Sequence, residues 1–221
     1  MKPKPKSWSF SSLTLYEECP QKYKIRYEDR IYPPKAEAAD RGTEVHSNIE
    51  LFLQGNASLP DEAQTLRAEY EALRFSTPEI EVDWWFDQNW NPCTKEAGWV
   101  QMKLDAFVIP VPKECIVVDH KTGKDSPIKR IGQGQLYAIG AAKRYPQLDK
   151  FETRFMYVDQ GVTKSNIYTR AQVEKFQATF TKRANKLLND RQYKPISNKY
   201  NCKFCPYGSE NLAVCEYRTE E

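Results

Sequence analysis

Apolar positions along this chain recur first at helical spacing and then at strand spacing. Ser11 and Ser12 precede Leu13, Leu15 and Tyr16, which predicts a short capped helix. Cys19-Pro20 ends or turns it, because a residue before proline avoids the helical region, and 21–28 reads as a second helical segment. Val45, Ile49, Phe52 and Leu53 make an apolar stripe that predicts a helix over 38–54, stopped by Gly55 and Asn56. A further helix is expected over 61–74, closed by Pro78. The period then changes to two. Strands are predicted at 78–85, 99–109 and 115–121, the last two joined by a turn at Pro110-Val111-Pro112-Lys113. A helix follows at 129–144, then a hairpin of 151–158 and 163–169 around Asp159-Gln160-Gly161, then a long amphipathic helix over 170–190. From Tyr193 onward the pattern is irregular. This order predicts an α/β fold, a mixed central sheet flanked by helices.

A chain of 221 residues suits one domain, or one domain with a small appendage. No apolar run is long enough to span a membrane, and Met1 to Lys6 has no apolar stretch behind it, so it reads as a basic arm rather than a secretory signal. A cytoplasmic protein of a bacterial, archaeal or phage-infected cell is the expectation. The net charge of +3 does not by itself mark a nucleic-acid binder. Six cysteines, Cys19, Cys93, Cys115, Cys202, Cys205 and Cys215, in a reducing compartment favour a metal over disulfides where they cluster.

Asp119 and Lys121 stand two apart on a predicted strand, so their side chains share one face. Ile116-Val117-Val118 before them is apolar and β-branched, as in a central strand. A charged pair at the end of such a strand costs desolvation energy, and it suits a site that binds something. The same tripeptide also suits a surface ion pair. Asp105 lies on the preceding strand, and a short turn makes the two strands antiparallel neighbours, so Asp105 and Asp119 converge where one Mg²⁺ or Mn²⁺ ion could take their oxygens. Lys121 would orient water or offset charge on phosphorus. Gly42, His46 and Glu50 share one helix face, where a core histidine and a ligand are alternatives. Gly42 allows close approach to a ligand or a strand. His120 should point to the opposite face from Asp119 and offer its backbone carbonyl. Gln133 and Tyr137, one helical turn apart, are either hydrogen-bonding groups of the site or ordinary packing.

Together these motifs resemble the RecB-like branch of the PD-(D/E)XK nuclease superfamily. Ser11-Ser12-Leu13-Thr14-Leu15-Tyr16-Glu17-Glu18-Cys19-Pro20 resembles its N-terminal signature, continued by Gln21-Lys22-Tyr23. Arg41-Gly42-Thr43-Glu44-Val45-His46 resembles its Gly-x-x-x-His motif. Leu104-Asp105-Ala106 matches its first aspartate motif, with Met102 in place of a frequent glycine. Val118-Asp119-His120-Lys121-Thr122-Gly123 matches the Asp-x-Lys core, and Gln133-Gly134-Gln135-Leu136-Tyr137 the Gln-x-x-x-Tyr motif. The resemblance implies a restriction-endonuclease-like core spanning 1–221. It implies His46, Asp105, Asp119 and the His120 carbonyl as ligands of Mg²⁺ or Mn²⁺, Lys121 as catalytic, and Gln133 and Tyr137 as support for the site or the DNA.

Cys202-Lys203-Phe204-Cys205 is a Cys-x-x-Cys knuckle, with Cys215 ten residues later. Members of this branch related to AddB and to CRISPR-associated exonucleases hold a 4Fe-4S cluster with one N-terminal and three C-terminal cysteines. The resemblance therefore implies a cluster on Cys19, Cys202, Cys205 and Cys215, which joins 1–30 to 193–221 as a cluster-binding appendage. A structural Zn²⁺ site would use the same thiolates. The gap before Cys215 is longer than usual for the family. Cys93 and Cys115 read as buried thiols. The implied function is an exonuclease acting on DNA ends in recombination, repair or phage replication. A structure-specific endonuclease and a non-catalytic DNA-binding protein with the same fold remain alternatives. DNA is the expected partner, with a homo-oligomer or a replication or recombination protein also allowed.

Overall fold

In the computed structural model, which describes residues 5–34, 36–208 and 212–217, the period-two stretches of the sequence become strands of one mixed sheet. The first four residues of the expected basic arm lie outside the described residues. In chain order the elements begin with β1 (Trp8–Ser9), α1 (Phe10–Glu18), α2 (Pro20–Tyr23), α3 (Glu37–Leu53) and α4 (Arg67–Phe75). Then come β2 (Glu79–Phe86), β3 (Val100–Val111), β4 (Glu114–Lys121) and α5 (Pro127–Arg144). The last are β5 (Lys150–Tyr157), β6 (Val162–Thr169), α6 (Arg170–Asn189) and α7 (Lys199–Lys203). Two compact units emerge, Ala36–Thr179 and the described residues within Met1–Lys35 and Phe180–Glu221.

In the larger unit, β3 pairs antiparallel with β2 and with β4, β4 pairs parallel with β5, and β5 pairs antiparallel with β6. The one parallel pair requires a crossover, which α5 supplies. Strand alternation divides the apolar residues between two faces. Val118 and Met156 pack with Val45, Ile49 and Phe52 of α3, Tyr70 and Leu73 of α4, and Ala63 and Leu66 of the preceding 3₁₀ turn. Thr153 and Phe155 point the other way, toward α5. Helix α5 lies so close to the sheet that a Cβ on Gly134 would stand 2.6 Å from Thr153 Oγ1, and one on Gly140 2.5 Å from Met102 Sδ. Among the described residues no helix is long and apolar enough to cross a membrane.

Several boundaries differ from the sequence expectation for local reasons. Ser9, not Ser11 or Ser12, caps α1, and Ser12 closes the capping box from inside the helix. Residues Lys24–Glu28 form a π turn after α2. The helix expected at 61–74 starts as a 3₁₀ turn, Asp61–Leu66. Strand β3 runs through Pro110 to Val111, so only Pro112 and Lys113 make the turn, with Lys113 at φ +70°. Pro127 starts α5 two residues early, since proline at the first helical turn forfeits no hydrogen bond. The irregular C-terminal stretch contains α7, capped by the Asn198 side chain.

The smaller unit corrects the fold description at one point, the cysteine-rich cluster joining the N- and C-terminal segments. None of the six cysteines is in a disulfide. Among the described residues no group of three or more His, Cys, Asp or Glu side chains could hold a metal ion. The expected 4Fe-4S cluster, and the Zn²⁺ alternative, are therefore overturned. Cys19, Cys202, Cys205 and Cys215 border a cavity of about 170 Å³ whose walls include Ile25, Ile196, Phe204 and Tyr207. Burial pushes the Cys215 thiol up, and the neighbouring thiols add to this. Hydrogen bonds and rings join the two segments instead. Tyr16 Oη donates to Asp190 Oδ2 at 2.7 Å, Arg183 pairs with Glu17 at 2.7 Å, and Asn201 donates to the Glu18 carbonyl at 3.3 Å. Tyr23 stacks with Tyr193, and Trp8 with Phe180.

Two outcomes follow from the close packing of the larger unit. Gly134→Ala should cost about 1–3 kcal/mol of stability, read as a lower melting temperature, because Thr153 has little room to retreat. Burial pushes the Cys115 thiol up to about 12. Iodoacetamide should therefore leave Cys115 unlabelled in the native protein and label it after unfolding, as read by peptide mass spectrometry.

Candidate active site

The polar residues singled out in the sequence meet at one end of the β3–β4 ladder. Ala106 and Val118 are the last paired residues there, so Asp105 and Asp119 stand at the next step of each strand. Asp119 is buried. Its Oδ1 accepts hydrogen bonds from Tyr137 Oη at 2.7 Å and Gln133 Nε2 at 2.9 Å. Its Oδ2 forms an ion pair with Lys121 Nζ at 2.5 Å. Lys121 also donates to Gln133 Oε1 at 3.2 Å and lies 5.7 Å from the centre of the Phe155 ring. Gln133 Nε2 donates to Tyr137 Oη at 2.6 Å, and the Tyr137 hydroxyl also reaches the Lys103 carbonyl at 2.8 Å. One hydroxyl proton thus serves two acceptors.

Asp105 is held from the other side. Its Oδ2 accepts the His120 backbone N–H at 2.5 Å, and its Oδ1 lies 3.5 Å from His46 Nδ1 on α3. The His120 ring turns away from Asp119, as strand alternation requires, and packs on Tyr70 and His46. Tyr70 Oη lies 3.2 Å from His120 Nδ1. Gly42 lets α3 approach the chain after β4, since a Cβ there would stand 3.0 Å from Thr122 Oγ1. The following loop is pinned. Asp125 accepts from Tyr157 Oη at 2.7 Å and pairs with Arg130 at 3.1 Å, while Gln160 donates to the Gly123 carbonyl at 2.6 Å.

The two carboxyls are driven in opposite directions. Burial raises Asp119, the charge of Lys121 opposes this, and the charge of Asp105 adds to it. Burial also acts on Asp105, but the His46 hydrogen bond, nearby histidine charge and the His120 N–H outweigh it and hold Asp105 below the usual carboxylate range. Burial favours neutral His46, yet the bond and charge of Asp105 prevail and raise it. Burial pushes His120 down to about 4, so its ring is neutral near pH 7. A pair of carboxyls with opposed proton affinities is an arrangement suited to acid–base chemistry.

Sequence reasoning missed Tyr70 and Glu81. Glu81 stands opposite Asp105 at the one step that the β2–β3 ladder leaves unpaired, with φ +51°. The side chain is exposed, and partial desolvation, then the charges of Asp105 and Glu50, raise its carboxyl. The alternating acids of Glu79-Ile80-Glu81-Val82-Asp83 were the available signal. Expected Mg²⁺ or Mn²⁺ ligation by His46, Asp105, Asp119 and the His120 carbonyl is a second correction. No group of three or more ligating side chains is placed for an ion among the described residues. Both oxygens of Asp119 and Oδ2 of Asp105 face protein donors or a cation instead.

A family profile described as PD-(D/E)XK nuclease superfamily matches residues 7–108 and 103–210. No curated protein matches the chain. Among solved structures, the crystal structure of SSO0001 is similar at 16% identity and TM-score 0.52, covering 99% of this chain and 90% of that one. The crystal structure of a putative exonuclease from Eubacterium rectale is similar at 10% identity and TM-score 0.56, covering 98% of this chain and 90% of that one. At such identities these likenesses concern the fold.

Tyr137→Phe should lower the unfolding free energy by about 1–3 kcal/mol, because the Lys103 carbonyl and Asp119 lose a buried donor. Denaturant titration reads this, and an unchanged midpoint would contradict the assigned network.

Proposed function

Since the chain belongs to the PD-(D/E)XK nuclease superfamily, we propose that it is a deoxyribonuclease hydrolysing phosphodiester bonds from DNA ends, in recombination, repair or phage replication. The observation that carries this reading is the Lys121–Asp119 pair. A lysine side chain 32% exposed is fixed beside a carboxylate only 7% exposed. Attack of water on phosphorus builds negative charge on the phosphoryl oxygens, and Lys121 Nζ offsets that charge. The water loses its proton to solvent, and Asp105, held ionised by the His46 contact and the His120 backbone N–H, accepts a hydrogen bond from that water and orients it. Gln133 and Tyr137 position Asp119, which in turn holds Lys121. Assignment to the RecB-like branch belongs to the same proposal and rests on Gly42 to His46 and Gln133 to Tyr137. The description of a structurally similar protein as a putative exonuclease supports action on ends.

End-labelled linear DNA, incubated with the full chain beside a closed circle in buffer with Mg²⁺ or Mn²⁺, tests the reading, and a chelated control reads any ion requirement. Linear DNA should be degraded and the circle should survive. Asp119→Asn should slow degradation by about 10²–10³-fold while the melting temperature holds. Intact linear DNA with wild-type protein would sink the enzyme reading, and a cut circle would sink the preference for ends.

A further inference from the structure

The C-terminal part of the smaller unit presents rings and lysines that the nuclease centre does not use. Between Arg191 and Gly208 the sequence has four cations, Arg191, Lys194, Lys199 and Lys203, and neither Asp nor Glu. Helix α7 sorts this stretch into two rows. Lys199 and Lys203 are one turn apart, as are Tyr200 and Phe204, the residue that closes the helix. Tyr200 is 78% exposed and Phe204 81%. Each ring has a lysine over it, with Lys199 Nζ 5.5 Å from the Tyr200 centroid and Lys203 Nζ 5.3 Å from that of Phe204. The rows are held in place. Asn198 Oδ1 accepts from the backbone of Tyr200 and Asn201 at 3.0 Å, and Asn201 Nδ2 donates to the carbonyls of Glu18 and Ile196. Two fixed aromatic rings left in water are an uncommon expense for a surface.

We infer that this face binds single-stranded DNA, with a base stacked on each of Tyr200 and Phe204 and the neighbouring phosphates met by Lys199 and Lys203. Ile196 adds some exposed apolar area beside the rings, but lysines set against both rings do not suit the apolar face of a protein. A cation beside each ring suits a polymer that alternates flat bases with anions. In a duplex the base faces are covered by their neighbours, so unpaired bases are the match. Choosing DNA as the polymer rests on the deoxyribonuclease reading, whereas the stacking chemistry does not.

Fluorescence anisotropy of labelled oligothymidine with cleavage-resistant phosphorothioate linkages, with the full chain, tests this. Tyr200→Ala and Phe204→Ala should each weaken binding roughly tenfold, and together about a hundredfold. Tyr200→Trp should retain it. Lys199→Gln and Lys203→Gln should each reduce the slope of log affinity against log salt by about 0.7. All these positions are exposed, and unchanged melting temperatures verify folding. Oligothymidine affinity unaltered in the double alanine variant would overturn the inference, as would an equal loss for blunt duplex. Tighter binding of oligouridine would reassign the face to RNA and overturn it for DNA. A wild-type dimer that the double variant splits, seen by sedimentation, would make it an interface between copies. Wild-type protein that binds oligothymidine in this way but leaves linear DNA intact would count against the nuclease reading alone.

Discussion

A carboxylate buried at the end of a central strand sets the terms for the larger unit. Asp119 cannot be left without partners there, because an unpaired buried charge costs several kcal/mol, roughly. Tyr137 and Gln133 answer one oxygen and Lys121 the other. Delivering two of those groups from one helix requires α5 to lie close to the sheet, against β5 at Gly134 and against β2 and β3 at Gly140. The parallel β4–β5 pair, which needs a crossover helix, places α5 on that face. Fold and site are therefore consequences of one another.

Asp105 faces a different environment although it sits one ladder step from the same place. Its oxygens are met by a backbone N–H and by His46. The opposite pull on the two carboxyls is thus an effect of which face of the sheet supplies their partners. On the α5 face the burial of Asp119 dominates. At Asp105 the His46 contact and the His120 backbone N–H outweigh burial, while alternation turns the His120 ring to Tyr70.

Much of this was legible in the sequence because it follows from period. A spacing of two from Asp119 to Lys121 meant one face, and a short turn meant that Asp105 would adjoin Asp119. Gln133 and Tyr137 at helical spacing shared a face, though spacing alone left packing as an alternative, and the hydrogen bonds to Asp119 decide it. Gly42 was read as a point of close approach to a ligand or a strand, and the neighbour is Thr122. Tyr70 was hidden because it acts through His120, and Glu81 because the alternation of 79–83 marks a strand without showing which residue it stands opposite. The cysteine expectation failed for another reason. Spacing along the chain carries no information on whether thiols take up a ligand geometry, and among the described residues no such group is placed. Tyrosine and ion-pair contacts hold those segments together instead.

The central claim is that Lys121 acts on the reacting phosphate rather than merely compensating Asp119. The single-turnover cleavage rate of end-labelled DNA at saturating protein, compared between wild type and Lys121→Ala, tests it most directly. The account predicts a rate lower by at least about 10²-fold with DNA affinity nearly unchanged. An equal rate, or a loss explained wholly by weaker DNA binding, would contradict it.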